Sequence, residues 1–184
     1  AAKAPDYPAE IVGVLSNRAA APGLETAASE GIATASLAQS RFPSRDMFED
    51  TMTQVLESWE VDYVCLAGFM RILGEDFVNR WRGRLINIHP SLLPAYRGLD
   101  THQRALADGA TEHGCTVHFV TPGLDEGPAI LQARVPVLPG DTPETLSARV
   151  LVEEHRIYPQ ALRMLATGQA RLDSAADETI HHNN

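Results

Sequence analysis

Residues 10–16 (EIVGVLS) are apolar through the middle and end at the polar pair Asn17-Arg18, the pattern of a buried parallel strand running into a loop. Residues 22–31 then read as a short helix with Gly31 as its stop, and residues 32–35 as another small strand. Ser44 is placed to cap a longer helix. In it Phe48, Met52, Val55, Leu56 and Trp59 fall at offsets of four, seven, eight and eleven, one buried stripe with an acidic, solvated face opposite. Residues 63–67 (YVCLA), bounded by Gly68, suit a strand covered on both faces, with Cys65 as a small core residue. Phe77, Val78 and Trp81 mark one face of a short helix closed by Gly83, and residues 84–89 (RLINIH) return as a strand. This β-α-β-α-β order predicts an α/β fold built on an open, mostly parallel sheet with helices on both faces.

The second half changes character. Residues 101–108 form a short helix with Gly109 at its C′ position, and residues 115–121 and 130–137 form two strands joined by the loop TPGLDEGPA. That spacing favours an antiparallel pair. Thr142, Pro143 and Glu144 supply the cap, first-turn proline and early acid of a helix continued by Leu146, Val150 and Ile157. Pro159 is expected to kink it or split it in two. Residues 1–168 are taken as a single domain, and residues 169–184 as a polar, fraying tail in which His181 and His182 have no role.

Composition narrows the function. With 184 residues, 44% of them hydrophobic, the chain can bury one substantial core. Its net charge of −9 argues against a nucleic-acid partner, and no apolar run is long enough for a membrane span. Cys65 and Cys115 form no CxxC pair and no His cluster has metal-ligand spacing, which indicates neither a disulfide framework nor a metal and fits a cytoplasmic setting. Lys3 is the only lysine, so Schiff-base chemistry and a Walker-type phosphate site are excluded.

The chemistry gathers in residues 86–99, INIHPSLLPAYRGL. Asn87 and His89 are two apart on a strand, so they project from one face, and Pro90 keeps His89 extended at the strand's carboxyl end, where open α/β sheets bind ligands. A carboxamide and an imidazole side by side can both reach one developing oxyanion, although the same spacing also suits a histidine filling a polar notch. Asp125 tips the balance. It lies in the loop GLDEGP, where Gly123 and Gly127 allow close backbone approach, and its carboxylate can orient an imidazole.

The blocks AGFMRIL (67–73), NIHPSLLPAYRGL (87–99), THQRALADGATEHGCTVHFV (101–120), LDEGPAILQA (124–133) and EEHRIYP (153–159) resemble, in order and near-gapless spacing, the signatures of the glycinamide ribonucleotide formyltransferases. HPSLLP alone marks the wider formyltransferase superfamily; GLxTH, EHGxxVHFV and EHxIYP make the resemblance specific. It implies a Rossmann-like formyltransferase fold and a catalytic trio of Asn87, His89 and Asp125. It also implies 10-formyltetrahydrofolate as formyl donor, with no metal, and glycinamide ribonucleotide as acceptor. The folate pocket would comprise Phe69, Met70, Arg71, Ile72, Leu73, Thr121 and Leu124, with backbone groups of Arg71 and Leu73 reading the pterin. For Ile72 ordinary core packing is the favoured alternative. Gly68, Met70, Ile88, Pro90 and Glu154 would contact the nucleotide, Glu154 at the ribose hydroxyls. Thr116 and His118 would support the site, and a homodimer is left open.

Members of the resembled family begin with an apolar strand and a Gly/Ser/Asn-rich phosphate loop that this sequence does not show. Either the chain is a fragment or mis-started version of a longer protein, the favoured expectation, or the nucleotide phosphate is bound differently; as it stands the chain is expected to bind folate better than ribonucleotide. Formyltetrahydrofolate deformylase, a sugar-nucleotide formyltransferase and a non-catalytic folate-binding relative are the rival readings. A methionyl-tRNA formyltransferase is disfavoured by length and charge.

Overall fold

The computed structural model describes residues 1–172; the expected fraying of the tail and the idle His181 and His182 lie outside the described residues. Strands β1 (Gly13–Ser16) and β2 (Ala33–Ser36) pair in parallel, joined by helix α1 (Pro22–Ser29). Pro22 fits the first turn because that N–H has no helical acceptor anyway, and Gly31 at φ 74° turns the chain into β2. β1 is shorter than the apolar run 10–16. Its ladder partner β2 offers four residues, and Ile11 and Val12 are left exposed ahead of it.

Helix α2 (Arg45–Ser58) begins where expected, with the Ser44 hydroxyl accepting from the Met47 N–H at 3.2 Å. Phe48, Met52 and Leu56 are buried, while Val55 and Trp59 are only half-buried. Its acids are not all solvated. Glu49 is buried because its carboxylate accepts from the Gly74 N–H at 2.8 Å, at the start of helix α3 (Glu75–Arg80).

Strands β3 (Val64–Leu66), β4 (Leu85–His89), β5 (Glu112–Phe119) and β6 (Ala129–Pro136) form a second sheet in that order. The β3–β4 pair is parallel, and β4–β5 and β5–β6 are antiparallel. Helix α4 (Thr101–Ala107) lies between β4 and β5, and helix α5 (Pro143–Ala166) follows β6. β1 and β2 make no ladder with β3, so the expected single open sheet is two sheets of two and four strands. β3 is therefore an edge strand. Cys65, expected in the core, is exposed.

Alternate residues of β4 feed two cores, as strand geometry requires. Leu85 packs with Phe48, Met52, Phe77 and Trp81 from α2 and the α3 region, whereas Ile86 packs with Val117, Leu146, Val150 and Ile157 beneath α5. Helices thus cover both faces, as expected. A capping box of Thr142 and Thr145 opens α5, which neither ends nor divides at Pro159. His155, whose carbonyl loses its donor there, is exposed, so water can satisfy it. The Tyr158 hydroxyl donates to the Leu66 carbonyl at 2.6 Å and ties this helix to β3.

Candidate active site

The polar side chains occupy the α2 face of β4 beyond the reach of its helices. Register fixes the arrangement: Leu66 of β3 aligns with Asn87, Asn87 with His118, and His89 with Thr116, which in turn aligns with Gln132. Partners directly opposite across a sheet share a face, so two polar rows form, Asn87–His118 and His89–Thr116–Gln132. The intervening Ile88 aligns with Val117, and its side chain packs toward α5 on the other face. Only the backbone of Ile88 is therefore offered to the site.

Two loops cover these rows. The chain from Pro90 to Asp100 folds back so that the carbonyl of Tyr96, at φ 53°, lies 2.9 Å from His89 Nε2. The loop after β5 brings Asp125, also left-handed at φ 52°, to 3.4 Å from His89 Nδ1 through Oδ2, which accepts from the Gly98 N–H at 2.9 Å. Gly127 makes this approach possible, since a β-carbon there would stand 1.7 Å from the Phe119 carbonyl oxygen. Arg97 and Glu126 pair at 3.0 Å and link the two loops at the surface.

His89 is 5% exposed and both its ring nitrogens face oxygen acceptors. An oxygen on each side of the ring fixes its plane and orientation at the end of β4. His118 differs. Its Nδ1–H donates to the Phe119 carbonyl at 2.8 Å, leaving Nε2 to accept from Asn87 Nδ2 at 3.4 Å. Burial is the main influence holding the His118 pKa below its usual value, which keeps the ring neutral and able to accept. This contact turns the amide nitrogen of Asn87 toward the same rim as His89, with a second N–H to spare. His118 Nε2 lies 3.9 Å from Asp125 Oδ1, so one carboxylate stands between the two histidines.

Thr116 is fully buried and its hydroxyl is saturated, donating to Ser91 O at 2.7 Å and accepting from Leu93 N at 3.1 Å and Gln132 Nε2 at 2.9 Å. After β3, Gly68 turns the chain at φ 64°, and Arg71 is exposed. Met70 and Ile72 are 75% and 70% exposed, so Ile72 is not a core residue. Its neighbours Phe69 and Leu73 pack, partly buried, against the α2 core instead. Leu124 is exposed, and Thr121 and Pro90 are half-buried. Glu154 on α5 is half-buried, with burial the main influence raising its pKa, and its charge is felt at Cys115 beneath the helix.

The sequence assigned no role to His102 and His113. The structure places His113 Nε2 3.1 Å from His102 Nδ1, with the Tyr96 ring edge-on to His113. These rings brace the residue whose carbonyl holds His89. The blocks GLDTH and EHG carried both histidines, but nothing in their spacing shows that they meet.

A model of the family described as formyl transferase matches residues 1–162. The trifunctional purine biosynthetic protein adenosine-3 of Drosophila pseudoobscura pseudoobscura is 52% identical over 89% of this chain, which spans 12% of that protein's length. The phosphoribosylglycinamide formyltransferase of Escherichia coli K12 is 50% identical over 89% of the chain and 77% of its own length. Among solved structures, that of the phosphoribosylglycinamide formyltransferase of Coxiella burnetii superposes with a TM-score of 0.85 at 51% identity, covering 89% of this chain and 77% of that one.

Proposed function

Because the chain belongs to the formyl transferase family, we propose that it moves the formyl group of 10-formyltetrahydrofolate onto the amine of glycinamide ribonucleotide, a step of purine biosynthesis. The observation that carries this reading is the 3.4 Å approach of Asp125 to His89 on the same rim as the Asn87 amide. The amine nitrogen attacks the formyl carbon, and the carbonyl π electrons pass to its oxygen. Asn87 Nδ2–H and the His89 imidazole stabilise that oxyanion, donors of a type worth about 3 to 4 kcal/mol each. The attacking nitrogen sheds a proton toward Asp125, directly or through one water. The folate nitrogen gains a proton as its bond to the formyl carbon breaks, and tetrahydrofolate leaves. No covalent bond to the enzyme forms.

The exposed side chains of Met70, Ile72 and Leu124 give the mouth an apolar lining suited to a flat heterocycle, and backbone groups of Arg71 and Leu73 lie beside them. Phe69 and Thr121 back this pocket. Gly68, Met70, Pro90 and the Ile88 backbone face the acceptor, and Glu154, a carboxylate short of water, accepts from ribose hydroxyls.

The test is tetrahydrofolate release from 10-formyltetrahydrofolate with and without glycinamide ribonucleotide. Release that requires the amine is expected. Release without it would make the chain a deformylase, and none at all a binding relative. His89→Ala is expected to lower kcat by about 100- to 1,000-fold while folate affinity, read by calorimetry, changes little. An unchanged kcat refutes the assignment.

A further inference from the structure

We propose that Gln132 is a positioning residue for the reaction, acting with Thr116 through the loop that holds His89. This rests on the reading of His89 as an oxyanion stabiliser. Gln132 lies on β6, inside the block LDEGPAILQA but with no role assigned to it there, and its Nε2 donates at 2.9 Å to both the Leu93 carbonyl and the Thr116 hydroxyl. That amide and hydroxyl pin the base of the loop after β4, through Ser91 O, Leu93 N and Leu93 O.

Both partners of His89 depend on that loop. Tyr96, a few residues beyond Leu93, supplies the carbonyl at 2.9 Å from Nε2, and Gly98 supplies the N–H that holds the Asp125 carboxylate. The Thr116 hydroxyl has no hydrogen-bonding capacity left, so it cannot replace the contacts of Gln132. Without the Gln132 amide, the Leu93 carbonyl loses a donor and the loop can shift. A shift of about 1 Å at a reacting group can cost 100-fold in rate. Gln132 touches neither reacting atom in this scheme and acts through the loop alone.

Gln132→Leu keeps the size and removes both donated bonds. Its side chain is exposed, so the hydrophobic core remains intact. The expected result is a fall in kcat of roughly 10- to 100-fold with each KM within about twofold, together with a displaced pH profile of kcat. Thr116→Val should act in the same direction, and Thr116→Ser, which keeps the hydroxyl, should restore most of the rate. The imidazole resonances of His89, in full-length protein labelled with 15N-histidine, read its position whether or not turnover occurs. They are expected to move in Gln132→Leu. If the wild type shows no amine-dependent transfer, the functional reading fails, and the resonances alone then decide the positioning claim. Unmoved resonances in Gln132→Leu, or a wild-type kcat and pH profile in that variant of an active enzyme, overturn it.

Discussion

His113 is almost wholly enclosed, and burial, followed by the charge of His102, pushes its pKa from 6.5 down to about 4. Its ring is therefore neutral in the folded chain at pH values where the unfolded chain already binds a proton. The stability it contributes is complete above pH 6.5 and is lost progressively as pH falls toward about 4. Urea midpoints should drop between pH 7 and about 4.5, and the drop should be smaller in His113→Gln; equal drops would deny this histidine the role. At this scale the sequence was informative where chemistry and spacing coincide. Asn87 and His89 project together because a strand alternates, and Asp125 stood out because glycines flank it. The left-handed turn at Tyr96, which sets how its carbonyl meets His89, left no mark in residue type, whereas aspartate at position 125 is a type that tolerates this conformation. The pairing of His102 with His113 left no mark either, since it depends on how α4 settles against β5.

The loop joining β5 to β6 shows how one missing side chain sets the position of an element. A β-carbon on Gly127 would collide with the Phe119 carbonyl oxygen and carbon, at 1.7 and 2.7 Å, and backbone cannot yield as a flexible side chain can. Gly127→Ala should push the loop outward, carry Asp125 away from His89 and cut kcat by about 100-fold. Circular dichroism should remain that of a folded chain. A variant of normal activity would show that the close approach is not needed. Helices were the most legible elements. Ser44 and Thr142 cap the helices they were expected to cap, since a hydroxyl before an amphipathic stretch is a local signal. Pro159 leaves α5 undivided, because proline removes one backbone donor and the residue whose carbonyl loses it, His155, is an exposed one. Cys65 misled because an apolar run shows that a strand exists without showing how many neighbours it has.

At the scale of the whole molecule, two ladders are held together by side chains rather than by backbone hydrogen bonds. Leu15 of β1 and Leu37 after β2 pack into the α2 core with Val64, Leu66 and Trp59, and among the described residues this packing joins β1 to β3 without a ladder between them. β4 and β5, by contrast, each have a neighbour on both edges. Amide exchange should therefore report a lower opening free energy for residues 13–16 and 33–36 than for residues 85–89 and 115–119. Uniform protection would contradict that division. The α/β class and the helices on both faces follow from period and order, whereas the break between sheets is a property of long-range pairing that local pattern does not encode. The seam also decides what heat or mechanical tension removes first. The small sheet can peel away like a hinged flap while the reactive rim stays stitched to its neighbours, so the onset of unfolding and the loss of catalysis need not coincide.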